Sequence, residues 1–203
     1  MRGKNYGRVS ARRGLYELCH TGTLMAHLFE ELRIHGVCFP HRIVVSPMCE
    51  YSSVDGYPNE WHLVHLGSRA LGGAALVFTE AAAVTAEGRI SPQDLGIWKD
   101  EHVEAFAPIT RFIHEQGSLA GIQLAHAGRK ASTVPPWEGV GPVPHSEGGW
   151  TPVGPSAVPF DQGYETPLEL SAEQICGIAR AFAAAAARAL AAGFRVVEIH
   201  VAH

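Results

Sequence analysis

The chain has 203 residues, of which 46% are hydrophobic and 18% are charged, and its formal net charge is −4. This is the composition of an ordinary globular protein with one sizeable core. The net charge gives no electrostatic reason to expect a nucleic-acid partner, and no apolar stretch is long enough to predict a transmembrane helix. The cysteines are scattered, without a C-x-x-C pair or a secretory signal, which favours reduced thiols and a cytoplasmic location. They are Cys19, Cys38, Cys49 and Cys176.

Residues 1–24 differ in composition from the rest of the chain. Glu17 is their one acidic residue, and they show no apolar period. Their basic residues are Arg2, Lys4, Arg8, Arg12 and Arg13. We interpret this segment as a disordered basic extension or as the result of a start codon placed upstream of Met25. A transit-like arm is the alternative, although serine is nearly absent. The folded domain is therefore predicted at residues 25–203.

Four short runs of β-forming apolar residues recur along the chain. Each is almost continuously hydrophobic, as is typical of strands that are buried on both faces of a parallel sheet. The runs are Arg42–Met48, Ala74–Thr79, Leu119–Leu124 and Arg195–Val201. They predict four parallel strands.

Helical segments separate these runs. Asn59 is a candidate N-cap for a first helix that ends at Leu71. Asp100 is the candidate cap of a second helix, which should kink or restart at Pro108 and end at Gly117.

The third helix has the clearest pattern. Ser171 and Gln174 form a capping box, and Gly193 closes the helix. Its predicted apolar stripe consists of Ile175, Ile178, Phe182, Ala186 and Leu190.

The alternation of strands and helices is a βα repeat, which builds either a doubly wound sheet or a (β/α)₈ TIM barrel. The first predicted strand is not followed by the G-x-G-x-x-G motif that a dinucleotide-binding fold has at this position. Polar residues gather instead at the C-terminal ends of the strands, where barrel active sites lie. They are Cys49, Glu80, Gln123, His126, His200 and His203. The α/β pattern thus predicts about the first four units of a barrel, with 129–170 as an ordered flap at the mouth of the site.

Five motifs occur in order at or near these strand ends. They are Ser46–Tyr51 (SPMCEY), Glu80-Ala81, Gly88–Trp98 (GRISPQDLGIW), Gln123–Lys130 (QLAHAGRK) and Glu198–His203 (EIHVAH). In order and spacing they resemble the FMN-dependent ene-reductases of the Old Yellow Enzyme family, and Cys49 resembles the bacterial, cysteine-containing branch. The resemblance runs from about Leu28 to the last residue and covers the N-terminal half of the family's barrel.

The resemblance implies a cofactor and a reaction. FMN would be held non-covalently at the mouth of the barrel and would pass a hydride from NAD(P)H to the β-carbon of an electrophilic alkene. The residues implied to line the flavin are Ser46, Pro47, Met48, Cys49, Ala81 and Gln123. Tyr51 would lie over the substrate. His200 and His203 would be catalytic and would bind the carbonyl or nitro oxygen of the substrate.

These residue types suit that chemistry. Hydride transfer to an enone builds negative charge on the carbonyl oxygen, and two N–H donors stabilise this charge most in the transition state. The amide of Gln123 offers a donor and an acceptor to the mixed edge of the flavin ring. A thiol such as Cys49 can tune a flavin through a weak hydrogen bond.

We predict no metal site, because no third ligand accompanies His200 and His203. Residues three apart on a regular strand face opposite ways, so both histidines can reach one substrate only if the strand ends near Val201. His62 and His65 are predicted to lie on the polar face of the first helix.

Two alternatives stay open. In the family, the proton-donating tyrosine and the FMN phosphate clamp follow the second histidine, so we expect this chain to be a truncated fragment that is inactive alone and exposes apolar surface. One alternative is a non-catalytic half-barrel module that needs a complementary chain, or a second copy of itself, to cover its sheet edges. The other is a related flavin barrel such as a dienoyl reductase. The resemblance also allows a homo-oligomer of the full-length protein.

Overall fold

The structure, a computed structural model, describes residues 27–201. The extension predicted at residues 1–24 and the predicted site residue His203 lie outside the described residues. The helices are α1 (Glu60–Leu71), α2 (Glu101–Glu115) and α3 (Ala172–Ala191). The strands are β1 (Leu32–Ile34), β2 (Val37–Phe39), β3 (Val44–Val45), β4 (Leu76–Ala83), β5 (Leu119–Ala125), β6 (Val153–Gly154), β7 (Leu168–Glu169) and β8 (Val196–Ile199).

The central sheet consists of β3, β4, β5 and β8 in that spatial order, and every pairing in it is parallel. Each strand of this sheet therefore lies beside the sheet strand that follows it in sequence, and one of the three helices connects the two. A doubly wound sheet reverses its strand order at a switch point, whereas a barrel adds its strands in sequence. The order confirms the predicted βα repeat and fits an arc of a barrel.

One large apolar core joins the three helices to the same face of the sheet. Leu66 from α1, Phe106 from α2 and Ala189 from α3 belong to a single cluster with Ile122 and Leu124 of β5. The layer of helices therefore covers the outer face of the arc and leaves the inner face for other contacts.

A β-hairpin that the sequence analysis did not predict closes one end of the inner face. It consists of β1 and β2, which pair in antiparallel fashion around His35 and Gly36, both with positive φ. Two positive φ values in a two-residue loop are typical of a type I′ hairpin turn. Phe39 of the hairpin packs on Leu76 and Phe78. Because Leu76 begins β4, the hairpin lies at the N-terminal end of the sheet, and the opposite end stays accessible.

Strands β3 and β4 depart most from the predicted runs, whereas the ends of β5 and β8 shift by only one or two residues. β3 is limited to Val44–Val45, because it pairs only with β4 in the described part of the chain and because Pro47 has no N–H for a ladder. β4 continues to Ala83 through a register shift between Phe78 and Ala81. Glu80 consequently lies inside an irregular part of β4, and the prediction that it lies at the strand end was wrong.

The first two helices confirm most of their predicted boundaries. Asn59 caps α1 and forms a reciprocal capping box with His62. Asp100 occupies the N-cap position of α2 without a capping bond, because its carboxylate accepts a hydrogen bond from Arg188 instead. Pro108 does not interrupt α2, which runs unbroken from Glu101 to Glu115, so the prediction of a restart was wrong, while the kink stays a prediction. Pro108 lies on the exposed side of the helix, where water can satisfy the carbonyl that loses its partner.

The third helix has the predicted capping box of Ser171 and Gln174 but a different buried face. Ala185 and Ala189 are its fully buried residues, and Phe182 and Ala186 of the predicted stripe pack against the core, whereas Ile175 and Leu190 of that stripe are exposed. Small side chains let α3 lie close to β5, which moves the contact face away from the larger residues. Within residues 27–201 no helix is both long enough and apolar enough to cross a lipid bilayer.

Candidate active site

A cavity of about 450 Å³ lies where β4, β5 and β8 end. Five residues that the sequence analysis proposed for the site line it, and they come from four separate segments of the chain: Cys49, Tyr51, Ala81, Gln123 and His200. Its volume falls in the range of roughly 300–1,000 Å³ that is usual for small-molecule sites. The structure thus brings together the residues that follow or end the predicted strands.

Three residues of the predicted flavin set, Ser46, Pro47 and Met48, are not among those that line the cavity. They lead from β3 toward Cys49, and the side chain of Met48 is 50% exposed. Their contact with a flavin stays a prediction.

His200 is the first residue after β8, which ends at Ile199. Its main-chain N–H donates to the carbonyl of Leu124 at 2.9 Å, which fixes the end of the strand beside β5. β8 therefore ends before Val201, which is the condition under which both His200 and His203 could reach one substrate. Among the described residues, no group of three or more His, Cys, Asp or Glu is arranged to hold a metal ion.

The long connection between β5 and α3 forms one wall of the cavity. Val134, Pro136 and Tyr164 of this flap line it, and the ring of Trp137 meets the ring of Tyr51 edge-on at 5.5 Å. The sequence predicts an ordered flap here but does not identify these residues, because a loop carries no periodic signal.

Two tryptophans and an arginine anchor the flap. The indole N–H of Trp150 donates to the carbonyl of Glu87 at 2.9 Å. The guanidinium of Arg89 lies 5.2 Å from the ring centre of Trp98 and 4.9 Å from that of Trp150. These cation–π contacts tie the flap to the loop after β4.

Gln123 is held in one amide orientation by its neighbour across the sheet. It pairs in register with Ala81 on one side and Glu198 on the other, and its Nε2 donates to Oε1 of Glu198. A carboxylate can only accept, so the amide NH₂ must face Glu198. The amide oxygen of Gln123 is therefore available as an acceptor for a donor in the cavity.

Cys49 presents an exposed thiol to the cavity. The surrounding residues keep most water away from the thiolate, and this desolvation raises the pKa of Cys49 to about 11. The negative charges of Asp94 and Glu80 raise it further. The pKa of Tyr51 is also raised, first by burial and then by the charge of Cys49. Both groups are protonated at neutral pH, so the cavity has an S–H and an O–H on this side.

A buried polar cluster lies behind Cys49 and Tyr51. Glu80 and His62 have fully buried side chains, with His62 Nε2 3.2 Å from Glu80 Oε1. His65 Nε2 lies 3.5 Å from Oε1 of Glu50. The prediction that His62 lies on a polar helix face was wrong, because α1 turns this residue inward against β4. His65 is only partly exposed.

Glu50 gives this cluster a pH dependence that can be measured. Burial raises its pKa to about 7, with a further contribution from the charge of Glu80, and its Oε2 is buried without a partner. An acid whose pKa is raised on folding binds more protons in the folded state, so stability falls as pH rises from the unfolded value toward the folded one. The Glu50→Gln variant should therefore be more stable than the wild type above neutral pH, by roughly 1–3 kcal/mol.

The measurement is denaturant unfolding of the full-length protein at about pH 5 and about pH 8. We expect the advantage of Glu50→Gln to grow with pH. Glu115→Gln, which neutralises an exposed carboxylate at the end of α2, is the control. Burial also raises the pKa of Asp94 to about 7, so the stability of both variants should still depend on pH in this range. Equal stability gains at both pH values would contradict this account of Glu50.

Comparison with known proteins agrees with the geometry. Residues 27–203 match the sequence profile of the NADH:flavin oxidoreductase / NADH oxidase family. The chain belongs to this family. It is 48% identical over 178 residues to the NADPH dehydrogenase of Bacillus subtilis, a match that covers 87% of this chain and 48% of that protein. It is 46% identical over 180 residues to an NADH:flavin oxidoreductase of Gibberella zeae, with 87% and 44% covered.

Solved structures of this flavin oxidoreductase family show the same fold. The structure of morphinone reductase in complex with tetrahydroNAD superposes with a TM-score of 0.72 at 28% identity, covering 87% of this chain and 50% of that chain. An Old Yellow Enzyme homologue from Zymomonas mobilis gives a TM-score of 0.72 at 30% identity, covering 86% and 48%. The central sheet is thus part of an Old Yellow Enzyme TIM barrel, as predicted. The chain spans about half the length of the curated relatives it matches.

Proposed function

We propose that the full-length protein is an FMN-dependent NAD(P)H oxidoreductase that reduces the activated C=C bonds of enones and related electrophiles. The observation that carries the proposal is the cavity in which Cys49, Tyr51, Ala81, Gln123 and His200 meet. The family of the chain supports the redox chemistry, and the polar groups of the cavity support the choice of substrate.

The cavity wall fits a flat, mixed polar and apolar ring. Ala81 contributes only a methyl group and leaves room beside β4, while the oriented amide oxygen of Gln123 can accept from a ring N–H. Cys49 adds a polarisable thiol. We propose that these three residues, together with Ser46, Pro47 and Met48, hold the flavin ring. FMN would supply hydride transfer between NAD(P)H and the alkene.

The substrate would lie between Tyr51 and His200. A carbonyl or nitro oxygen gains negative charge during reduction, and N–H or O–H donors aimed at it lower the barrier. The raised pKa of Tyr51 keeps its hydroxyl protonated and able to donate. We propose His200 and His203 as the pair that binds the substrate oxygen, with Tyr51 over the substrate.

Residues 27–201 on their own leave apolar side chains exposed along both edge strands. Val44 of β3 is 44% exposed and Ile199 of β8 is 57% exposed. Open sheet edges with apolar side chains favour association with further polypeptide. We therefore propose that the 203-residue chain alone does not turn over, and that a non-catalytic half-barrel awaiting a complementary chain is the second candidate.

The test is an anaerobic assay of NADPH and NADH oxidation by the FMN-loaded full-length protein, with 2-cyclohexenone as the probe. We expect the saturated ketone as product, at a rate on the order of 1–100 s⁻¹. The 203-residue chain is assayed in parallel and should be at least about 100-fold slower. A full-length protein that binds FMN but leaves the C=C bond intact would contradict the proposed reaction.

A further inference from the structure

The two carboxylate oxygens of Glu80 have different partners. Oε2 accepts from the main-chain N–H of Glu50 at 2.9 Å, and Oε1 lies 3.2 Å from Nε2 of His62. Because the side chains of Glu80 and His62 are fully buried, no water competes for these bonds. Glu80 therefore connects α1 to the segment that carries Cys49 and Tyr51.

The orientation of His62 is fixed from its other side. The main-chain N–H of Asn59 is directed at Nδ1 of His62 at 3.0 Å, and Oδ1 of Asn59 lies equally near Nδ1. Nε2 faces Oε1 of Glu80, and a carboxylate oxygen can only accept, so Nε2 carries a proton. His62 thus donates to Glu80, and the carboxylate accepts from both of its partners.

The irregularity in β4 places Glu80 on the helix side of the sheet. Phe78 packs in the inner cluster and Ala81 lines the cavity, although residues three apart on a regular strand face opposite ways. The register shift between these two residues resolves this conflict. Bulges of this kind re-aim side chains next to functional sites. Here the shift directs Glu80 toward His62 and Ala81 toward the cavity.

The segment that Glu80 holds has an unfavourable backbone conformation. Tyr51 has φ of 47°, in the left-handed region that residues with a Cβ rarely adopt. Asn59 supports the same segment by donating from Nδ2 to the carbonyl of Ser52 at 2.6 Å. Such a conformation persists only where surrounding contacts impose it.

We propose that Glu80, oriented by His62, is a positioning residue that holds the Glu50 peptide so that Cys49 and Tyr51 face the cavity. The proposal rests on the proposed flavin site for its functional consequence. The positioning itself stands on the contacts within the chain and can be tested without a cofactor.

The first variant is Glu80→Gln, which keeps the shape but offers one acceptor and one NH₂ group to two donors. While the proton stays on Nε2 of His62, one of the two bonds must fail, so the Cys49–Tyr51 segment loosens. In the full-length protein we expect FMN to bind about tenfold more weakly, which is the effect of losing one hydrogen bond to a charged group. We also expect the pH midpoint of Cys49 alkylation by iodoacetamide, followed on the Cys49 peptide by mass spectrometry, to move to lower pH because the charge of Glu80 is gone.

Variants of His62 separate positioning from helix capping. Gln and Glu both serve at the third position of a capping box. His62→Gln keeps an acceptor for Asn59 and a donor for Glu80, and should retain FMN affinity within about threefold. His62→Glu keeps the cap but sets a carboxylate against Glu80, and should reproduce the loss seen in Glu80→Gln. Thr110→Val, which removes a buried hydrogen bond to Ala192 far from the cavity, is the stability control and should change neither readout.

The outcomes are distinguishable. A folded Glu80→Gln variant with unchanged FMN affinity and an unchanged Cys49 alkylation profile would overturn the positioning role. If both His62 variants behave alike, His62 acts through the helix cap and the proposal is also overturned. If the wild type itself binds no FMN, the proposed function fails, while faster hydrogen exchange of the Glu50 amide in Glu80→Gln, which reports the loss of its bond to residue 80, would still support the positioning role.

Discussion

Replacing His200 by alanine is expected to lower kcat for enone reduction by the full-length protein about 100- to 1,000-fold. His200 lines the cavity at the end of β8 and is proposed to donate to the substrate oxygen. A donor of this kind acts on charge that develops in the transition state, so its loss lowers kcat more than it raises KM. FMN affinity should change little, since the flavin contacts are assigned to other residues.

Anaerobic steady-state kinetics with FMN-loaded protein checks this result. His145→Ala is the matched control, because His145 lies on the flap, contacts Glu165 and does not line the cavity. The control should retain wild-type kcat within about twofold. If His200→Ala keeps kcat while the control behaves as expected, the proposed substrate-binding role of His200 is wrong.

Replacing Phe106 by alanine is expected to destabilise the protein by about 3–5 kcal/mol. The side chain of Phe106 is fully buried, and its ring meets that of Phe194 edge-on at 5.3 Å. It belongs to the core that joins α1, α2 and α3 to the sheet, so its removal leaves a cavity in the middle of that core.

Denaturant unfolding of the full-length protein measures this loss. Phe29→Ala is the control for the same substitution, because Phe29 is 53% exposed, and its loss should cost about 1 kcal/mol or less. Equal losses in the two variants would mean that the core around Phe106 does not limit stability.

The sheet and its helices could be predicted because local patterns and tertiary burial agree. Strand β5 is buried along most of its length, and the run from Leu119 to Leu124 is correspondingly apolar except at Gln123, which lines the cavity. The caps at Asn59 and Ser171 satisfy N–H groups that every helix leaves free, so they can be recognised without knowledge of the packing.

The features that were missed depend on packing. His62 has no sequence signal that separates it from an exposed helical histidine, and only the approach of α1 to Glu80 buries it. The shift in β4 lies between Phe78, which packs against the hairpin, and Ala81, which lines the cavity. The alanine face of α3 was hidden by larger apolar residues on the same helix.

The candidate site was predictable as far as strand ends determine it. Parallel strands bring their carboxyl ends to one edge, which is why Ala81, Gln123 and His200 meet although they are distant in sequence. The flap wall was not predictable, because the position of Tyr164 depends on anchors such as Trp150 that loop sequence does not reveal.

Titration of the full-length apoprotein with FMN, followed by quenching of flavin fluorescence, tests the central claim most directly. We predict saturable binding of one FMN by the wild type and binding at least about tenfold weaker by Ala81→Leu, because the larger side chain fills space beside β4. Ala184→Leu makes the same change on the exposed face of α3 and should bind like the wild type. If the wild type does not bind FMN, or if Ala81→Leu binds it equally well, the cavity at the strand ends is not the flavin site.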